Sequence, residues 1–131
     1  MVEAEIVQEW LSKAKEDFDF GLVNLGENKP FYAQICFHFQ QAAEKFLKAY
    51  IVAKELEFAR LHDLPRLLKI CAENDPAFED LREDCEYLTT YYIETRYPVY
   101  WPTNFSVEET RKAFESAARI KRFVERKLSL R

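Results

Sequence analysis

The 131-residue chain is 48% apolar and 15% aromatic, with a net charge of −4. This composition excludes an intrinsically disordered chain, which combines low hydrophobicity with high net charge, and the length fits a single domain over residues 1–131. The chain has only two glycines and five prolines, which argues against a turn-rich β architecture and favours long helices.

The cysteines and the N-terminal segment bear on the compartment of the protein. Cys36, Cys71 and Cys85 form no C-x-x-C pair, and each falls on a predicted apolar helix face. This pattern is typical of reduced thiols packed as small hydrophobic side chains. The N-terminus has no basic segment followed by an apolar run, and no stretch reaches the ~20 apolar residues that cross a bilayer. We therefore expect a cytoplasmic protein that does not enter a membrane.

Apolar residues that recur with the 3.6-residue helical period predict the first two helices. The first spans about residues 5–25, with Gly26 as the C′ residue beyond its end. The second begins near Pro30, since proline is tolerated in a first turn, and ends near Glu55. Its apolar surface is wide, which predicts either a central helix or one that shares a face with another subunit. A narrow polar stripe follows this helix: Gln34, His38, Gln41, Lys45 and Lys48.

Capping residues mark the remaining helices. Asp63 is expected to cap a short third helix, and Asp75, which precedes a proline, is expected to cap the fourth. The fourth helix must end before Pro98, because proline disfavours helical backbone in the residue before it. Ser106 and Glu109 have the spacing of a capping box at the start of a fifth helix. Together these elements predict an all-α, up-down antiparallel bundle of four long helices plus a short one.

The sequence lacks the motifs of metal and phosphate-loop sites. His38 and His62 are the only histidines, and they have no spacing typical of zinc ligands. Two glycines are too few for a glycine-rich phosphate loop. We therefore predict no metal and no cofactor.

The end of the fourth helix is the densest candidate site. Leu88, Tyr92 and Arg96 recur at intervals of four residues, so Arg96 leaves the helix on nearly the same side as the core residues. A guanidinium in a groove at this point is able to bind a phosphate through two parallel hydrogen bonds. The alternative is that Arg96 pairs with carboxylates or helix-end carbonyls and holds the loop that follows.

The loop after Arg96 is rich in aromatic residues. Tyr97, Tyr100, Trp101 and Phe105 lie within nine positions of one another. Such residues stack on bases in single-stranded nucleic-acid sites. They also close the ends of helical bundles or form subunit contacts, and packing of this kind is the interpretation we favour.

The histidines and the basic residues of the fifth helix each have two interpretations. His38 is expected to be a partly buried residue bonded to Gln34 or Gln41; alternatively, it is a proton carrier that faces the same groove as Arg96. His62 precedes the capping Asp63 and is expected to order that turn. The basic stripe of the fifth helix either binds RNA or an acidic partner, or forms an exposed face that balances the acidic helices, which we favour. The stripe comprises Arg119, Arg122 and Arg126.

Three segments together resemble the HEPN domain family. The first is residues 36–49, which read CFHFQQAAEKFLKA in the second helix. The second begins with His62, in the sequence HDL, and the third is residues 91–98, which read YYIETRYP. Each segment alone is a weak signal, but their order and spacing are family-like over about residues 7–128.

The resemblance implies both a fold and a range of functions. It implies an up-down helical bundle that is usually a homodimer. Many family members are metal-independent ribonucleases of toxin, antiphage and RNA-processing systems, with a signature at the dimer cleft of an arginine, four to six intervening residues and a histidine. Other members are encoded beside a minimal nucleotidyltransferase and form a two-component module with it. Nucleotide binding has also been proposed for the family.

This chain matches only half of the ribonuclease signature. Arg96 corresponds to the family's arginine, but the positions where the histidine is due hold Trp101, Pro102 and Thr103. None of these side chains transfers a proton at neutral pH. Some family ribonucleases are silenced by AMP transfer to a tyrosine two residues after that histidine, which here falls on Thr103.

These observations predict a non-catalytic homodimer that binds a nucleotide or RNA and partners a minimal nucleotidyltransferase in a toxin–antitoxin-like module. The expected binding residues are Arg96, Tyr92, Tyr97, His38, Lys45 and Trp101. The rival hypothesis is a metal-independent ribonuclease with a degenerate motif, in which His38 replaces the missing histidine and acts with Arg96.

Overall fold

A computed structural model of the chain describes residues 4–58, 60–96 and 105–129, and it describes residues 93–96 through their backbone alone. The described residues form an all-α bundle, as predicted. None of the described helices combines the length and the apolar character needed to cross a membrane. The elements in order are α1 (Ala4–Gly26), α2 (Tyr32–Ala53), α3 (Leu64–Asn74), a 3₁₀ helix (Pro76–Leu81), α4 (Arg82–Arg96) and α5 (Val107–Leu128).

The helix α2 is the centre of the bundle, and α1, α3, α4 and α5 all pack against it. Several of its large apolar side chains are enclosed in the core, including Phe39, Phe46 and Ile51. Burial of each such side chain contributes roughly 1.5–3 kcal/mol to folding. The helix α1 packs tightly against α2 at Gly21, where a Cβ atom would lie 2.7 Å from the ring of Phe39.

The predicted caps of α3 and α5 are confirmed. The Asp63 carboxylate accepts a hydrogen bond from the Arg66 backbone N–H, 3.4 Å away. At the start of α5, the Ser106 hydroxyl accepts from the Glu109 N–H and the Glu109 carboxylate accepts from the Ser106 N–H, both at 3.0 Å. These bonds satisfy N–H groups that have no partner within the helix.

Two details of the predicted helix ends are wrong. The segment after Asp75 begins as a 3₁₀ helix, and α-helix starts only at Arg82. Phe78 and Leu81 are buried there, and a spacing of three residues places both on one side of a 3₁₀ helix. Gly26 is the last residue of α1 and has no positive φ; Asn28, with φ 57°, takes the left-handed conformation instead, which asparagine tolerates.

The three cysteines are packed in the core, as predicted. All three are free and buried. Burial raises the pKa of the Cys36 thiol to about 11 and that of Cys71 to about 12, and it raises the pKa of Cys85 as well. Thiols with these pKa values remain protonated at neutral pH and are poor nucleophiles.

Candidate functional site

The predicted site at the end of α4 is described up to Tyr92. Arg96 is the last residue of α4, four residues, or about 6 Å along the helix axis, beyond Tyr92. The side chain of Arg96 lies outside the described residues, as do Tyr97 and Trp101. The described side chains of this site are therefore those that precede Arg96.

A stacked pair of rings forms one wall of this site. The rings of His62 and Tyr92 are nearly parallel, with an interplanar angle of 11° and centroids 4.3 Å apart. A third ring, that of Phe37, lies 6.3 Å from the Tyr92 ring. The stack joins the segment before α3 to α4 and leaves the His62 side chain 48% exposed.

A buried carboxylate fixes the orientation of His62. The Nδ1 atom of His62 lies 3.1 and 3.0 Å from the two carboxylate oxygens of Glu44, and the Lys48 ammonium donates to the same carboxylate at 2.9 Å. The side chains of Glu44 and Lys48 are only 5% and 8% exposed. A charge taken out of water in this way needs paired, hydrogen-bonded neighbours. We refer to Glu44, Lys48 and His62 as the pocket cluster.

Two glutamines complete the hydrogen bonds of the pocket cluster. The side-chain amides of Gln40 and Gln41 each donate to Glu44 at 3.4 Å. Gln40 also donates to the His62 backbone carbonyl at 3.3 Å. The segment before α3 is therefore attached to α2 through both the backbone and the side chain of His62.

The pocket cluster borders a surface depression with a volume of about 390 Å³, lined by His62, Asp63, Thr89, Thr90 and Tyr92. Thr89 joins α4 to the start of α3 at this depression, because its hydroxyl oxygen accepts a hydrogen bond from the Leu64 backbone N–H at 3.0 Å. The Thr90 hydroxyl donates to the Tyr87 carbonyl at 3.0 Å. Among the described residues that line the depression, none is a lysine or an arginine.

His38 and Lys45 belong to a different cluster, between α1 and α2. The Asp17 carboxylate is bonded to His38 Nδ1 at 2.9 Å and to the Lys45 ammonium at 2.5 Å. The prediction that His38 bonds Gln34 or Gln41 is therefore wrong. The reason is tertiary, since the partner lies on the neighbouring helix. We refer to Asp17, His38 and Lys45 as the seam cluster.

The electrostatics of the seam cluster favour an ionised Asp17. Burial by itself raises the pKa of this carboxyl group, but the hydrogen bonds from His38 and Lys45, together with the charge of Lys45, outweigh burial and lower the pKa below its ordinary value. The ring of His38 is also covered by Phe20, with centroids 4.2 Å apart. This arrangement joins two helices by charge-assisted hydrogen bonds.

A second depression of about 390 Å³ lies beside Lys45, lined by Ile6, Glu9, Trp10, Lys13 and Lys45. It lies against α1 rather than α4. The predicted site residues are thus divided, with Tyr92 and Arg96 on α4, and His38 and Lys45 at the seam between α1 and α2. Glu44 carries no local sequence signal for its role, and the predicted role of His62 was only the ordering of a turn.

The basic stripe of α5 is partly neutralised. Arg119 makes hydrogen bonds through Nε and Nη2 to the Asp84 carboxylate of α4, at 3.0 and 2.7 Å. Arg126 lies over the Phe123 ring, 5.6 Å from its centroid. The pairing of Arg119 agrees with the favoured interpretation, in which this face balances the acidic helices. Within the described residues, no group of three or more His, Cys, Asp or Glu side chains is arranged to hold a metal ion.

Comparison with known proteins places the chain among helical-bundle relatives. Residues 7–127 match the family model of the HEPN domain. The crystal structure of TT1696 from Thermus thermophilus has a TM-score of 0.83 and 35% identity, over 93% of this chain and 98% of that one. ST0689, an archaeal HEPN homologue, has a TM-score of 0.76 and 26% identity, over 94% of this chain and 98% of its own. No curated protein shows a significant match.

Proposed function

The chain belongs to the HEPN domain family, and we propose that within this family it is a non-catalytic homodimer that binds a nucleotide or RNA and partners a minimal nucleotidyltransferase in a two-component, toxin–antitoxin-like module. The observation that supports binding most directly is the stack of His62 and Tyr92 at the edge of a depression, one helical turn before Arg96. Aromatic surfaces next to a cation are typical of sites for single-stranded nucleic acids.

The proposed absence of catalysis rests on the sequence after Arg96. Cleavage of RNA by its own 2′-hydroxyl requires a base, an acid or strong stabilisation of charge in the transition state. Arg96 supplies only the last of these. Positions 101–103 hold tryptophan, proline and threonine, none of which serves as a proton carrier.

The proposed association with other chains draws on the family and on apolar side chains that the described bundle leaves exposed. Phe20 and Val23 lie one turn apart on α1 and are 44% and 55% exposed. Exposed apolar patches of this kind mark contact surfaces between proteins. Their position supports a protein contact on the outer face of α1.

The binding proposal is tested with fluorescence anisotropy on labelled single-stranded RNA. We expect Arg96→Ala to weaken binding at least tenfold, because a phosphate loses its bidentate partner. Tyr92→Ala is expected to remove a stacking contact worth about 1–3 kcal/mol. The matched control is Lys15→Ala, which removes an exposed cation paired with Asp19 on α1. Unchanged affinity in both site variants would contradict this site.

The partnership is tested by co-expression with the gene that adjoins this one, which the proposal expects to encode a minimal nucleotidyltransferase. We expect the two proteins to co-purify, with this chain present as two copies by light scattering. If no complex forms at micromolar concentration, the partnership is excluded. A monomer in solution would exclude the homodimer without affecting the binding site.

The rival function, a metal-independent ribonuclease, is favoured by one feature: each histidine is bonded through Nδ1 to a carboxylate, the arrangement that orients a general base. An RNA-cleavage assay on the wild type, Arg96→Ala, His38→Ala and His62→Ala separates the two functions. We expect no cleavage by the wild type. Metal-independent cleavage that is lost in Arg96→Ala and in either histidine variant would overturn the non-catalytic proposal.

A further inference from the structure

The hydrogen bonds of the pocket cluster determine which atom of His62 is available to a ligand. A carboxylate only accepts hydrogen bonds, so the contact with Glu44 assigns a proton to Nδ1 of the histidine. Lys48 already supplies the positive charge that balances Glu44. In the tautomer with its proton on Nδ1, Nε2 of the half-exposed ring is left as a hydrogen-bond acceptor.

Two other described groups at the depression, on Asp63 and Thr90, also present acceptor oxygens. The Asp63 carboxylate accepts through Oδ1 from the Arg66 N–H, which leaves its second oxygen for another donor. The Thr90 hydroxyl uses its proton on the Tyr87 carbonyl, so its exposed oxygen keeps lone pairs for a ligand. These acceptors surround a flat wall formed by the stacked rings of His62 and Tyr92.

This chemistry distinguishes among the parts of a nucleotide. A phosphate presents only acceptors and negative charge, so it is repelled by Asp63 and finds no cation among the described lining residues. A sugar presents hydroxyl donors, which match the acceptors of His62, Asp63 and Thr90.

We propose that this depression is a ribose-recognition pocket, in which Nε2 of His62, oriented by Glu44, accepts a hydrogen bond from a 2′-hydroxyl group and thereby selects RNA over DNA. The inference rests on the proposed function and specifies the ligand of that same site. The 2′-hydroxyl is the group by which a protein distinguishes RNA from DNA at a given position. Asp63 is the second acceptor, for a neighbouring hydroxyl.

The test compares the affinity of the protein for two pools of random-sequence oligonucleotides, one of RNA and one of DNA. Each oligonucleotide is roughly ten nucleotides long, and binding is measured by fluorescence anisotropy at pH 7.5. We expect the wild type to bind RNA roughly three- to tenfold more tightly than DNA, the effect of one hydrogen bond. His62→Asn keeps a donor at the Nδ1 position for Glu44 but removes Nε2. We expect its RNA-to-DNA affinity ratio to fall to about one.

The RNA-to-DNA affinity ratio distinguishes loss of the hydroxyl contact from loss of stacking or of the folded structure. Loss of the imidazole ring weakens stacking on RNA and DNA alike, so stacking cancels in the ratio. His62→Gln, whose amide oxygen reaches the position of Nε2, is expected to restore part of the preference. Circular dichroism and a thermal melt establish that each variant is folded, and if His62→Asn unfolds, His62→Ala, which also removes Nε2, replaces it in the comparison.

Each outcome has a distinct meaning. Equal binding of RNA and DNA by the wild type overturns the ribose pocket and leaves the proposed binding function intact. A preference that survives in His62→Asn, or that is lost in His38→Asn instead, also overturns the assignment to His62. If neither pool binds, both the pocket and the proposed binding of RNA are overturned.

Discussion

The seam cluster and the pocket cluster consist of similar groups, since each joins a histidine, a carboxylate and a lysine, yet their surroundings differ. In the seam cluster the carboxylate is 14% exposed and the histidine 32%. In the pocket cluster the carboxylate is only 5% exposed, whereas the histidine is 48% exposed. The pocket cluster thus combines the more deeply buried charge with the more accessible ring.

The difference in exposure follows from the elements that meet at each cluster. The seam cluster lies between two helices that run side by side, so its hydrogen bonds mainly join α1 to α2. The pocket cluster joins α2 to the segment before α3, and its His62 stacks on Tyr92 of α4, beside a depression lined by that segment and α4. The same residue types therefore join two helices in one place and border a depression in the other.

The largest effect that distinguishes the two clusters is expected at Glu44. Glu44→Ala leaves the Lys48 ammonium buried without its counter-charge, and removal of one partner of a buried pair costs about 3–5 kcal/mol. Urea denaturation followed by circular dichroism measures the loss. Glu44→Gln, which keeps the shape and an acceptor oxygen, is expected to cost less. A loss below about 1 kcal/mol for Glu44→Ala would mean that the pair of Glu44 and Lys48 contributes no more to stability than an exposed ion pair.

The next effect tests how tightly the seam itself is packed. In Gly21→Ala the new methyl group would meet the Phe39 ring at 2.7 Å, and overpacking of this kind costs about 1–3 kcal/mol. Gly26→Ala is the matched control, because nothing lies within 4 Å of its added Cβ. We expect the control to be neutral or slightly stabilising in a thermal melt. Equal melting temperatures for the two variants would show that α1 and α2 are able to move apart at little cost.

The smallest effect concerns the charge of Asp17 and depends on pH. The pKa of Asp17 in the folded chain is below its ordinary value of 3.8. The stabilisation is therefore present above about pH 4 and is lost as the pH falls through the folded pKa. Asp17→Asn is expected to lower the free energy of unfolding by about 1–2 kcal/mol at pH 7, and this difference should shrink toward pH 3.

Urea denaturation of the wild type and Asp17→Asn at several pH values measures this dependence. The control is Asp19→Asn, because Asp19 lies two residues away on α1 in an exposed pair with Lys15. We expect the control to leave the free energy of unfolding nearly unchanged at every pH. A difference for Asp17→Asn that stays constant from pH 7 to pH 3 would contradict a depressed pKa.

Local sequence patterns predicted most of the fold. Apolar residues at helical spacing indicated the helices, and the caps at Asp63 and at Ser106 with Glu109 were confirmed because each depends only on neighbours within three residues. The 3₁₀ start after Asp75 was missed. The choice between 3₁₀ and α-helix there depends on the burial of Phe78 and Leu81 against the bundle, which is not a local property.

The candidate site was only partly predictable. Arg96 and Tyr92 were identified because their spacing on one helix, together with the family resemblance, is visible in the sequence. The different roles of His38 and His62 could not be predicted, because their carboxylate partners are 21 and 18 residues away in the sequence and lie on other elements. The sequence alone therefore determined that an all-α bundle forms and that the motif histidine is absent. Only the tertiary structure, through the helices that meet around each carboxylate, decided that His38 joins α1 to α2 while His62 faces the depression.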